Sequence, residues 1–161
     1  MQDLSAFSPL IGLRELGVAD CDVTDLSPLA ELTAPEVLNL SCNGELTDIT
    51  PLGNMTATRC LWRDGTAVTD LSALSAMRLL EEVSLPSGSV RGLSILAGLT
   101  GLKDLKLTTC ELSDLSPLFP LAALERLDMR FNAALTLESV AIMRKSLQTL
   151  RFAGITTGWV A

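Results

Sequence analysis

The chain has no histidine among its 161 residues. Nucleophilic sites that rest on a Ser–His or Cys–His pair are therefore excluded. Tyrosine is also absent, and aromatic residues make up only 4%, so the core cannot lean on large rings. Positive charge is scarce: twelve Lys and Arg stand against nineteen Asp and Glu, for a net charge of −7. Binding nucleic acid usually needs a basic face to replace phosphate counterions. An anionic membrane surface makes the same demand, so composition argues against both partners. No apolar run approaches the ~20 residues of a spanning helix. The start, Met1-Gln2-Asp3-Leu4, lacks the basic and apolar regions of a signal peptide. No Gly-rich phosphate loop is present.

Four cysteines occur, Cys21, Cys42, Cys60 and Cys110, and none forms a C-x-x-C pair. They fall in different repeats, so convergence on a zinc ion is not expected. Cys21 and Cys42 fall in adjacent repeats and could bridge, but reduced thiols and a cytoplasmic setting are favoured. Asn39-Leu40-Ser41 and Asn54-Met55-Thr56 match the glycosylation triplet, which matters only for a secreted protein.

What the chain has is a period. The residues that open each L-x-L pair are Leu16, Leu38, Leu61, Val83, Leu105, Leu127 and Leu150, spaced by 22, 23, 22, 22, 22 and 23. A leucine-built period in this range marks a leucine-rich repeat solenoid. Each L-x-L alternates in and out, as a short strand must. Asn or Cys follows, at Cys21, Asn43, Cys110 and Asn132. An Asn amide there satisfies turn backbone groups that would otherwise be buried unpaired. The return path carries Thr24-Asp25-Leu26-Ser27-Pro28-Leu29 and its copies at Thr47–Leu52 and Ser113–Leu118, with a near copy at Thr69–Leu74. Ser or Thr before Pro reads as a helix start, the hydroxyl capping free N–H groups and Pro taking the first helical position. The space left fits a 3₁₀ turn. Asp25, Asp48, Asp70 and Asp114 form a ladder on this side. Capping or turn bonds account for them more simply than calcium.

This L-x-x-L-x-L-x-x-N-x-L-x-D-L-x-P-L pattern resembles the short-repeat leucine-rich class. That class includes the bacterial internalins and the regulatory subunits of protein phosphatase 1. The resemblance covers roughly residues 3 to 155. It implies an α/β, right-handed solenoid with a parallel β-sheet on its concave face and 3₁₀ turns on its convex face. It further implies a binding scaffold, since members serve adhesion, phosphatase regulation and cytoskeletal or ciliary assembly. Fold alone does not choose among these.

Several departures carry information. The loops Asn43–Leu46 and Asn132–Leu135 each hold one extra residue, which should bulge at the sheet edge without moving the core. In the third repeat, strict spacing puts Leu61 and Arg63 inward and Trp62 outward. Burying an unpaired Arg is costly. A one-residue shift, which puts Cys60 and Trp62 inward and widens the Asp64–Val68 loop, is therefore preferred. The rival register makes Trp62 an exposed anchor. Residues 137–146 have no Pro, and Val140, Met143 and Leu147 fall at helical spacing, so one α-helix is expected near the C-terminus. Residues 1–161 read as one leucine-rich repeat domain of about six to seven repeats. The chain starts in mid-repeat, as a segment of a longer array or an end covered by another subunit would.

Function should sit on the concave face. Aligned by repeat, its C-terminal half gathers Lys106, Arg126, Asp128, Arg130 and Arg151 beside Phe131. Arginine with an exposed aromatic is hot-spot composition; charges simply paired across strands are the plainer reading. With Trp62, these are the candidate partner-binding residues. No catalytic residue, metal ligand or cofactor site is assigned. The expectation is a non-catalytic scaffold that binds a protein. A structural segment stacking through uncapped ends, for instance around Phe7 and Phe152, is the alternative.

Overall fold

The computed structural model describes residues 3–85 and 93–155. Seven short strands form one parallel sheet in sequence order. They are β1 (Glu15–Gly17), β2 (Val37–Asn39), β3 (Cys60–Trp62), β4 (Glu82–Ser84), β5 (Asp104–Lys106), β6 (Arg126–Met129) and β7 (Phe152–Ile155). Strands this short cannot persist alone; their stability comes from the layers on either side. Leu16, Leu38, Leu61, Val83, Leu105 and Leu127 stand in register along the sheet, and all are buried. Leucines of the return path, such as Leu26, Leu52, Leu74, Leu96 and Leu118, close the core from the other side. The fold is an α/β leucine-rich repeat solenoid.

The asparagine slot works as the turn chemistry requires. Asn43 Oδ1 accepts from the backbone N–H of Cys21 at 3.2 Å and Val23 at 2.8 Å. Its Nδ2 donates to the carbonyls of Val18 at 2.9 Å and Leu40 at 2.7 Å. Asn132 repeats the pattern with Cys110, Leu112, Leu107 and Met129. Each amide thus joins its own layer to the one before. The extra residues sit outside this rung: Gly44, Glu45, Ala133 and Ala134 are exposed, while Leu46 and Leu135 return to the core.

The return turns are 3₁₀, for example at Ser27–Leu29, Thr50–Asn54 and Ser116–Leu118, each with Pro in its first turn. The hydroxyls do not cap them, contrary to expectation. The aspartate two residues earlier does: Asp25, Asp48, Asp70 and Asp114 each accept the backbone N–H at 2.7–2.8 Å. Ser27 and Ser116 hydroxyls donate to the same carboxylates. An Asx turn places its acceptor on the N–H at two residues' distance, which a Ser at that position cannot do for itself. The expected helix is present at Leu137–Ser146 (α1), with a Thr136/Ser139 capping box and with Val140 and Met143 buried.

Two registers differ from expectation. In the third layer the strict spacing holds: Leu61 and Arg63 point inward, and Cys60 and Trp62 outward. A one-residue slip would have turned every side chain of β3 over and cost the Leu38–Leu61–Val83 row. The structure instead buries Arg63 completely. Its Nη1 donates to the Val68 carbonyl at 3.1 Å and the Thr66 hydroxyl at 3.4 Å. Nε and Nη2 have no hydrogen-bond partner, and burial pushes the guanidinium below its ordinary pKa. In the seventh layer, Leu127 pairs with Ala153, not Leu150. The last period is therefore 153 − 127 = 26 residues. A helix advances only ~1.5 Å per residue, so α1 consumes more chain than a 3₁₀ turn. The segment 86–92, with the fourth layer's residue after the strand, and the chain beyond residue 155 lie outside the described residues, as do the side chains of Phe152 and Ile155.

Candidate protein-binding face

Three parallel rows of side chains line the outward sheet face. The middle row runs Gly17, Asn39, Trp62, Ser84, Lys106, Asp128, Gly154. The row before it includes Glu15, Val37, Cys60, Glu82, Asp104 and Arg126. One residue earlier, at the strand entry, stand Arg14, Glu36, Arg59, Glu81, Lys103, Glu125 and Arg151, linked by backbone bonds. That entry row alternates in sign from end to end. Arg14 pairs with Glu36. Glu81 sits between Arg59 and Lys103, each at 2.5 Å, and Arg151 approaches Glu125 at 4.0 Å. Lys103 first, then Arg59, hold the Glu81 carboxyl below its ordinary pKa.

The candidate residues separate on this frame. Trp62, Lys106 and Asp128 share the middle row, and Arg126 stands beside it. Arg126 Nε donates to Asp104 at 2.7 Å, which raises the guanidinium pKa. Arg130 grips Asp128 with two nitrogens, Nε at 2.9 Å and Nη2 at 2.7 Å, and lowers that carboxyl's pKa. Lys106 Nζ reaches Asp64 at 2.6 Å, two layers away. Arg151 is not among them: the seventh-layer register moves it to the entry row. The pairing of charges across and along strands is thus observed. Such exposed pairs contribute little to stability, typically below about 1 kcal/mol each; they hold side chains in place.

The residues immediately after the strands supply a second feature. Asp20, Cys42, Thr109 and Phe131 have φ between 54° and 63°, and Gly65 has φ 68°. A left-handed backbone is easy for Gly and unfavourable for a β-branched or bulky residue. Thr109 and Phe131 are held there nonetheless, and Phe131 is 65% exposed. It directly follows Arg130 of the Asp128–Arg130 pair in the chain. Trp62, by contrast, is half-buried, its indole N–H donating to Glu82 Oε1 at 2.6 Å.

On the return side, a cavity of about 190 Å³ lies between Leu93 and the Cys110–Asp114 segment. That is below the size of most small-ligand sites. No group of three or more Cys, Asp or Glu could hold a metal among the described residues. No described helix is long and apolar enough to cross a membrane.

Comparison with known proteins agrees with this architecture. No protein-family model matches the chain, and no curated protein sequence does. Among solved structures, an internalin (inlF) from Listeria monocytogenes aligns over 99% of this chain and 52% of its own, with 28% identity and a TM-score of 0.79. A second internalin of that organism aligns over 97% of this chain and 76% of its own, with 25% identity and a TM-score of 0.74. A leucine-rich repeat protein from Leptospira interrogans matches at 20% identity and a TM-score of 0.78, over 91% of this chain and 38% of its own. The chain is a leucine-rich repeat protein. Its repeats are of the internalin type, and it spans about half the length of the first of these internalins. The fold is in general a protein-interaction scaffold.

Proposed function

We propose that the chain is a non-catalytic scaffold that binds a protein partner on its concave sheet face. The observation that carries this reading is Phe131, a large aromatic kept exposed at φ 63° on the rim of a pre-ordered face. Left-handed backbone costs an L-residue about 1–2 kcal/mol; the repeat turn imposes it at Asp20, Cys42 and Thr109 as well, and Phe131 differs from them in carrying a large exposed ring there. Strain and exposure together in one aromatic favour a role in contact. The mechanism is pre-organisation: strands fixed by their ladder, and charges fixed by pairing, lose little entropy when a partner docks. The lack of histidine in the sequence, which removes Ser–His and Cys–His nucleophilic pairs, supports a non-enzymatic role.

The test is affinity capture from source-cell lysate with three baits: the intact chain, an Arg126→Glu/Arg130→Glu/Phe131→Ala variant, and a return-side Glu138→Lys/Ile142→Lys variant. Loss of the captured protein with the second bait alone supports the reading. Loss with the third bait alone places the contact on the return side and overturns it.

A further inference from the structure

We infer that the centre of the sheet face is a receptor for an arginine side chain of the protein partner, with Trp62 as its aromatic wall and Glu82 and Ser84 as its acceptors. This rests on the sheet-face reading and names what that face takes. Ser84 lies in the middle row between Trp62 and Lys106. It points away from the core, yet it is only 4% exposed, and its hydroxyl has no hydrogen-bond partner. Lys106 crosses the fourth layer to reach Asp64, and the Trp62 indole leans toward Glu82. A buried hydroxyl without a partner is uncommon and costs desolvation that an incoming donor would recover.

Glu82 is the second observation. Its neighbours Asp64, Glu81 and Asp104 each hold a cation. Glu82 has no ion pair among the described residues; one oxygen takes the indole N–H. The thiol of Cys60, next along the row, is pushed up in pKa by burial first and then by Glu82 and Glu81, against an opposing contribution from Arg59. A guanidinium suits this set. It stacks flat on an indole, carries fixed charge, and offers several N–H donors in one plane, enough for the second Glu82 oxygen and for Ser84 Oγ together. Lys106 is the intramolecular cation that covers this ground when no partner is bound, and the incoming arginine displaces it.

The experiment selects a phage-displayed random peptide library against the full chain and against Trp62→Ala, Glu82→Gln, Lys106→Ala and Phe131→Ala variants, all checked for unchanged melting. Peptides selected by the wild type should share one arginine. Exchanging it for uncharged citrulline should weaken binding about tenfold, the scale of a desolvated cation–π contact with a charged acceptor. The exchange should make no difference to Glu82→Gln or Trp62→Ala. Lys106→Ala should bind the arginine peptides several-fold more tightly. Peptides that need Phe131 but show no arginine preference overturn this inference alone, as does weaker arginine binding by Lys106→Ala. Peptides indifferent to Trp62 and Phe131 alike, or no selected peptide at all, contradict the sheet-face reading as well.

Discussion

The third and sixth layers are built on one template and solve it differently. In the sixth, Met129 fills the inward position at the end of the strand, Asn132 joins four backbone groups of two layers, and Phe131 follows in the turn with its ring exposed. In the third, Arg63 takes the inward position and Thr66 the slot, and Trp62 projects from the strand. The Thr66 hydroxyl donates only to the Arg63 carbonyl. The sixth layer therefore keeps its core rule and carries its strain at the rim. The third carries its cost in the core, as two unpartnered guanidinium nitrogens. Departures from local rules concentrate where something other than stability is selected, and both layers place an aromatic on the same outward face.

The largest effect should come from the rung. Asn132→Ala leaves two buried N–H groups and two carbonyls without their side-chain partner, each a loss of about 1 kcal/mol or more. Its denaturant midpoint should fall far more than that of Thr66→Ala; equal losses would remove the contrast between the layers. Arg63→Met keeps the side chain's length and removes a buried charge. It should stabilise the fold by about 2 kcal/mol, read as a higher urea midpoint at unchanged slope. A loss of similar size would show that the Val68 and Thr66 bonds outweigh burial. Phe131→Gly should gain about 1 kcal/mol by relieving the left-handed turn while weakening partner capture. Stability lost together with binding would mean that the ring packs.

The smallest effect is with pH. Bonds from Thr50 and Ser116 lower the Asp48 and Asp114 pKa values from the ordinary 3.8. A carboxyl with a lowered folded pKa stabilises the fold fully above its unfolded value, and that contribution is lost as pH falls through the folded one. Melting temperature should thus be flat above about pH 5 and decline below the ordinary 3.8. Asp48→Asn should flatten part of the decline.

The architecture was legible because a leucine period and an Asn slot are properties of every layer at once. The third-layer register was misjudged for the opposite reason. The penalty on Arg63 is visible in its own segment, whereas the energy that outweighs it lies in the pairing of Leu61 with Leu38 and Val83. Arg151 was misplaced because a 3.6-residue helix and a 3₁₀ turn span the same distance with different numbers of residues. The alternating row from Arg14 to Glu125 was readable, since its members sit one period apart. It lies one residue before the strand positions that carry the L-x-L pattern. Unusual φ values at Thr109 and Phe131 leave no mark in sequence, because neither residue type favours them.

The most direct test of the binding face is a photo-crosslinking phenylalanine analogue placed at position 131 or, as a control, at position 142 on the exposed return-side helix. Each variant is irradiated in source-cell lysate. The account predicts one discrete crosslinked protein from position 131 and none in common from position 142. The same product from position 142 alone would move the contact off the sheet face and contradict it.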